Sequence, residues 1–394
     1  MTQSRVIGVE HIQDAYQRGR IIFEVLSGDI VTDLAVETAT RLGVRLTDGP
    51  LEKPAVVETD GAKAMTRGLY RRSSRWVSPH KSAPRQQRRF SKLALVGAGG
   101  VGGNIAHLAA MQNMADEITL IDVVPGMAAA LAMDLNHASG ITGVSARCFG
   151  SENLADVIGA DVVVVTAGVA RRPGMTRADL IDVNKRVIHS AAEVIRVSAP
   201  DAVVIVVTNP LDEMTLEMLK MTQFPREKVL GMAGTLDSSR FRNALASAAG
   251  VSPADVEAIT LGSHGDEMTP IPSLARIKGR ALERFLSLEQ IEACVEDAVT
   301  GGGQVVALKK SGSATIAPAH GVVELLDHIR GARVGPVPVS VMMEGEYGVR
   351  DVVLGVPAHL GASGLVEVEE LRITEREQQN LHAAAEAVRK RLDH

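Results

Sequence analysis

From Ser91 onward the apolar residues gather in short β-branched runs: KLALVG at 92–97, EITLID at 117–122, ADVVVVTAG at 160–168 and AVVIVVTN at 202–209. Each run is separated from the next by a stretch long enough for a helix. Runs without polar alternation mark strands buried on both faces. Their regular alternation with helices predicts an α/β fold, a Rossmann-type doubly wound parallel sheet over residues 92–234. Beyond Thr235 the pattern mixes helical stretches with strand-like VEAITLG, ARIKG and VVLGVP, then closes on TEREQQNLHAAAEAVRKRL, a long helix. An α+β catalytic domain over 235–394 is the expectation.

Residues 1–50 follow a pattern of their own. A helical stretch from about Val9 to Arg18 precedes the strand-like IIFEVL; helical TDLAVETATRLG then leads into the short strand VRLTDG. This is a small N-terminal α/β extension. Thr32 or Asp33 is placed to cap its second helix, whose apolar stripe reads as Leu34, Val36, Ala39 and Leu42. No internal repeat is visible. Between Leu51 and Phe90 periodicity dissolves into Pro, Gly, Ser and Arg, so residues 51–91 read as a linker.

Charge sharpens these boundaries. The formal net charge is −5, yet residues 1–60 hold about 6 basic and 10 acidic side chains and residues 61–92 about 10 basic and none acidic. The linker is thus a basic tether, or a docking segment in which Arg71, Arg72, Arg75 and Trp76 meet an acidic surface. One Trp and one Tyr give no repeated stacking platform, so nucleic acid is not the expected partner. Cys148 and Cys294 show neither disulfide nor metal-ligand spacing, and no metal is expected. No apolar run approaches the roughly 18 residues that span a bilayer, and the first residues lack a signal peptide's order. A cytoplasmic protein without membrane contact is the reading.

Gly97, Gly99 and Gly102 form GxGxxG between an apolar run and a stretch of helix formers. The first glycine makes a tight turn, the second lets backbone approach a pyrophosphate, and the third lets helix pack on strand. Asp122 ends the next strand about 20 residues later, where a carboxylate accepts from both ribose hydroxyls. Val123 and Val124 beside it supply no cation for a 2′-phosphate. NAD is therefore the expected cofactor rather than NADP.

Four further stretches carry polar residues that packing does not explain: AGVARRPGMTRADL, VTNPLDEMT, GTLDSSRF and LGSHGDEMTP. With GAGGVG before them and GEYG and GVP after them, they resemble the lactate and malate dehydrogenase family in order, from about Lys92 onward. The likeness is greatest to its tetrameric, lactate-dehydrogenase-like malate dehydrogenases. Reducing a 2-keto acid needs a hydride, a proton for the carbonyl oxygen and cations for carboxylates. His264 is the natural proton donor and acceptor, since its ordinary pKa lets both forms exist near neutrality.

The resemblance implies the remaining roles. Asp237 orients His264, Arg240 clamps the substrate C1 carboxylate, and Arg177 rides the closing loop and polarises the carbonyl. Asn209, at a strand end, meets the reacting oxygen and the cofactor. Arg171, six residues before Arg177, faces the substrate's distal group, and its charge matches the second carboxylate of a small dicarboxylate. Leaving it unpaired against a methyl group would cost several kcal/mol, a preference of roughly a thousandfold. Adjacent Arg172 competes for that register; counting back from Arg177 selects Arg171. Malate–oxaloacetate interconversion is the implied reaction, a lactate or other 2-hydroxy acid dehydrogenase the alternative, and a homotetramer or homodimer the implied assembly.

Residues 6–46 resemble short N-terminal regions of some bacterial microcompartment-associated enzymes, with IVTDLA where those often read IVTPLA. That resemblance implies a shell or cargo partner through residues 1–90 and a place inside such a compartment. The residues alone read equally as a packing or oligomer arm.

Overall fold

The computed structural model describes residues 5–17, 22–26, 28–42, 44–48, 88–169, 177–310 and 312–392, with every side chain among them except those of Ile22, Glu24, Arg45, Asp48, Arg177 and Ala178. The chain forms two compact units, Met1–Arg75 and Trp76–His394. Arg71, Arg72, Arg75 and Trp76, the expected docking residues of the linker, lie outside the described residues.

The first unit runs β1 (Val6–Ile7), α1 (Val9–Gln17), β2 (Ile22–Val25), β3 (Ile30–Val31), α2 (Asp33–Leu42) and β4 (Arg45–Asp48). It is a strand–helix–strand unit made twice, which corrects the expectation of no internal repeat. β1 pairs in parallel with β3, Val6 opposite Ile30, and β2 with β4, Ile22 opposite Arg45. The repeat lies in element order and register while the side chains differ, so residue comparison misses it. Ile7 and Ile12 of one half pack with Ala35, Ala39 and Val44 of the other, and Ala15 and Thr38 are buried. The buried face of α2 therefore starts one residue later than expected, and Leu34 and Val36 are exposed. Small side chains at 35, 38 and 39 let α1 lie close. Thr32 is the cap: its Oγ1 accepts from the Ala35 amide at 3.3 Å, and Asp33 adds a favourable charge in the first turn.

The second unit is built on an eleven-stranded sheet. Its parallel part comprises β5 (Phe90–Val96), β6 (Ala115–Ile121), β7 (Arg147–Ser151), β8 (Val162–Val165), β9 (Val203–Val206) and β10 (Val229–Gly231). These lie in the order β7-β6-β5-β8-β9-β10, so the winding reverses between β5 and β8, where open α/β sheets bind ligands. Successive side chains point to opposite faces. Leu93, Leu95, Val162 and Val164 pack on α3 (Gly100–Met111) and α4 (Met127–Thr142). Ala94, Val96, Val163 and Val165 pack on α5 (Arg177–Ser198) and α6 (Leu211–Thr222). All four valines of β8 are buried, and each such side chain contributes about 1.5–3 kcal/mol of apolar burial.

After α7 (Gly234–Ala249) come the short strands β11 (Val256–Glu257), β12 (Thr260–Gly262), β13 (Met268–Pro270), β14 (Arg276–Ile277) and β15 (Arg280–Ala281). Helices α8 (Leu288–Lys309) and α9 (Ile316–Ile329), strands β16 (Val337–Glu344), β17 (Arg350–Gly361) and β18 (Gly364–Val368), and α10 (Glu375–Leu392) follow. β16, β17, β12 and β13 extend the parallel sheet beyond β10 with antiparallel pairing. One core runs from the first strands of the unit through this region, so the Rossmann half and the half after it share a single sheet. Among the described residues no helix is long and apolar enough to cross a membrane.

Candidate active site

The glycine loop between β5 and α3 separates three demands that spacing alone only suggests. Gly97 sits at φ +109°, and a Cβ there would come within 2.5 Å of Thr166 Oγ1. At Gly102 a Cβ would lie 1.9 Å from the Gly97 carbonyl oxygen, so the helix reaches the turn only without a side chain. Gly99 has nothing within 4 Å of its would-be Cβ. The open space lies where α3 begins, with Gly99 as N-cap and no side chain satisfying the helix's first amides. Free amides, a helix dipole and an empty approach suit a pyrophosphate.

Asp122 follows β6, and its carboxylate accepts from the Ala98 amide at 2.7 Å and the Val124 amide at 2.9 Å. The loop thus fixes the carboxylate beside the glycine turn, and each oxygen keeps a second lone pair for a ribose hydroxyl. Val123 and Val124 are exposed next to it. Glycine loop and carboxylate fit a dinucleotide with an unmodified ribose.

The second cluster joins α7 to the turn after β12. His264 Nδ1 lies 2.9 Å from Asp237 Oδ2, and Arg240 Nη1 donates to Asp237 Oδ1 at 3.0 Å. Asp237 and Arg240 stand one helical turn apart and share the carboxylate between them. Burial works against the imidazolium, but Asp237, and Asp212 further off, hold the His264 pKa above its ordinary value. Asp237 takes Nδ1, which leaves Nε2 to exchange a proton with a ligand.

A third feature ties the two clusters together. The His264 backbone amide donates to Asp212 Oδ2 at 2.8 Å, three residues beyond Asn209. Asn209 itself is exposed after β9, on the strand end that also carries the glycine loop and Asp122. The histidine turn therefore belongs to the ligand edge of the parallel sheet. Asp212 is fully buried, and burial, with Glu213 alongside, pushes its carboxyl up to about 6.

Arg171 and Arg172 fall outside the described residues, as do Pro173 and Gly174, and Arg177 begins α5 with its side chain outside them. What the structure does describe is the root of that loop. Asn184, buried in α5, accepts from the Val169 amide at 2.8 Å and donates to the Asn209 carbonyl at 2.6 Å. Sequence reasoning misses Asn184, Thr166 and Asp212. Thr166 Oγ1 donates to the Gly97 carbonyl at 3.2 Å. The TAG and VTNPLD motifs contain two of the three, but each looks like an ordinary strand-end polar residue until its partner is seen.

Comparison with known proteins identifies the family. Residues 91–231 match the model of the lactate/malate dehydrogenase NAD binding domain, and residues 234–394 that of the lactate/malate dehydrogenase alpha/beta C-terminal domain. The chain is 40% identical to the malate dehydrogenase of Trichormus variabilis over 80% of its own length and 98% of that protein. Among solved structures, the malate dehydrogenase of Aeropyrum pernix is 40% identical at a TM-score of 0.74, covering 76% of this chain and 97% of that one. The lactate dehydrogenase of Cryptosporidium parvum, solved with lactic acid and nicotinamide adenine dinucleotide, is 35% identical at a TM-score of 0.74, over 78% and 98%.

Proposed function

Because the chain belongs to the lactate/malate dehydrogenase family, we propose that it interconverts malate and oxaloacetate with NAD. The observation that carries the chemistry is the His264–Asp237 pair at 2.9 Å. NAD, held by Gly97, Gly99, Gly102, Asp122 and Asn209, supplies or accepts the hydride. His264 holds the proton at Nε2 and gives it to the keto oxygen in reduction, or takes it from the hydroxyl in oxidation. Asp237 keeps the ring oriented and favours its charged form. Arg240 binds the C1 carboxylate through its planar fork, and Arg177 polarises the carbonyl. Residues 92–234 serve as the NAD-binding domain, 235–394 as the catalytic domain and 51–91 as a linker to the first unit.

Malate rather than lactate rests on Arg171 as partner of the distal carboxylate, supported by the malate dehydrogenases at 40% identity. The likeness to a lactate dehydrogenase at 35% keeps that reaction as the second reading. A panel of oxaloacetate, pyruvate and branched keto acids against NADH separates them. Oxaloacetate should lead, and Arg171→Gln should shrink its lead over pyruvate by roughly a thousandfold. An unchanged ratio would overturn the role of Arg171, and pyruvate leading in the native enzyme would overturn the substrate.

For assembly, family membership supports a homotetramer or homodimer. For residues 1–90 the resemblance to microcompartment-associated regions supports a shell or cargo partner.

A further inference from the structure

The helix α10 ends far from the glycine loop in sequence, yet its last turn reaches the histidine segment. Arg391 Nε donates to Glu213 Oε1 at 2.6 Å, Nη1 to Glu267 Oε1 at 2.8 Å and Nη2 to Ser263 Oγ at 3.0 Å. One guanidinium thus holds both ends of segment 263–267 and ties it to α6. The Ser263 hydroxyl donates to Asp212 Oδ2 at 2.8 Å, the oxygen that also accepts from the His264 amide. Ser340, from β16, donates to the other oxygen, Oδ1, at 3.3 Å. Donors and acceptors run in one sense from Arg391 through Ser263 to Asp212, an ordered network whose inner members, Ser263 and Asp212, are buried.

We propose that Asp212 and Arg391 are positioning residues for His264: Asp212 fixes its backbone amide, and Arg391 pins the segment around it to α6. The inference rests on the reading of His264 as the proton-transfer group. The Asp237 bond alone fixes one ring nitrogen and leaves the ring free to swing about it; the backbone anchor removes that freedom. Two points of attachment set where Nε2 stands, and displacement by about 1 Å at a reacting atom costs as much as a hundredfold in rate. Among the described residues the hydrogen bonds of Asp212 and Arg391 go to the histidine segment, α6 and β16 rather than to the glycine loop or Arg240.

The test compares full-length variants by steady-state kinetics with oxaloacetate and NADH, at temperatures well below each variant's unfolding midpoint. His264→Asn comes first; retained turnover there would remove the underlying reading, whatever the other variants do. With that loss established, Arg391→Gln should lower kcat roughly tenfold and Asp212→Ala as much as a hundredfold, while NADH affinity and the KM for oxaloacetate stay within about twofold. Asp212→Asn, which keeps an acceptor for the His264 amide, should recover most of the Ala loss. If Asp212→Ala does not fold, Arg391→Gln decides. Unchanged kcat in Arg391→Gln with only a lower unfolding midpoint would overturn the proposal, as would Asp212→Ala and Asp212→Asn falling equally.

Discussion

Asp237 is the anion on which the site's titration turns. One oxygen meets His264 and the other Arg240, while Asp212 is the second carboxylate facing the ring. Reduction of a keto acid needs the imidazolium, so its rate falls as pH rises through the His264 pKa; oxidation needs the neutral ring and falls as pH drops through it. The raised pKa therefore extends reduction to higher pH. Asp237→Asn keeps the shape but removes the charge, which disfavours the imidazolium and permits the wrong tautomer. Oxaloacetate reduction should drop by about 10²–10⁴, and the alkaline limb of kcat/KM should move to lower pH. A pH–rate profile checks this; a limb that stays in place would assign the titration to another group.

At the level of elements, Gly99 and Gly102 make different predictions from one loop. Gly99→Ala adds a methyl where nothing lies within 4 Å, so the unfolding midpoint should hold while NADH affinity, read by fluorescence titration, falls roughly tenfold. Gly102→Ala forces a Cβ to 1.9 Å from a carbonyl oxygen and should instead destabilise the fold by about 1–3 kcal/mol. Equal loss of stability in both would mean that the space at Gly99 is structural. This loop and the buried valine strands are legible in the sequence because each constraint falls on neighbouring residues: a steric demand every two or three positions, or an unbroken apolar run. β1 and β3 are not legible, since two residues show no period. Asp212 is hidden for the opposite reason. Its partners Ser263 and Ser340 are 51 and 128 residues away, and only the folded sheet brings them together. The pairing of His264 with Asp237, 27 residues apart, is likewise beyond spacing and enters the sequence reading through resemblance.

For the whole molecule, the two units divide the chain in a way that matches its relatives. Four-fifths of this chain covers 98% of the Trichormus variabilis malate dehydrogenase, and the two domains of the lactate/malate dehydrogenase family match residues 91–231 and 234–394. The sheet, its two flanking cores and the Asp212 network all lie between Phe90 and Leu392. The first unit keeps its own small core of Ile7, Ile12, Ala35, Ala39 and Val44. Its parallel strand pairs are formed within the unit. A polypeptide of residues 88–394 should therefore fold and retain kcat and KM for oxaloacetate within about twofold, as expected of a domain with its own core. On the proposed docking role of residues 1–90, it should also fail to co-purify with microcompartment shell when both are expressed together. Collapse of turnover in the truncated chain would make the first unit part of the enzyme's own architecture. Turnover kept together with shell association would move the docking surface onto the dehydrogenase itself.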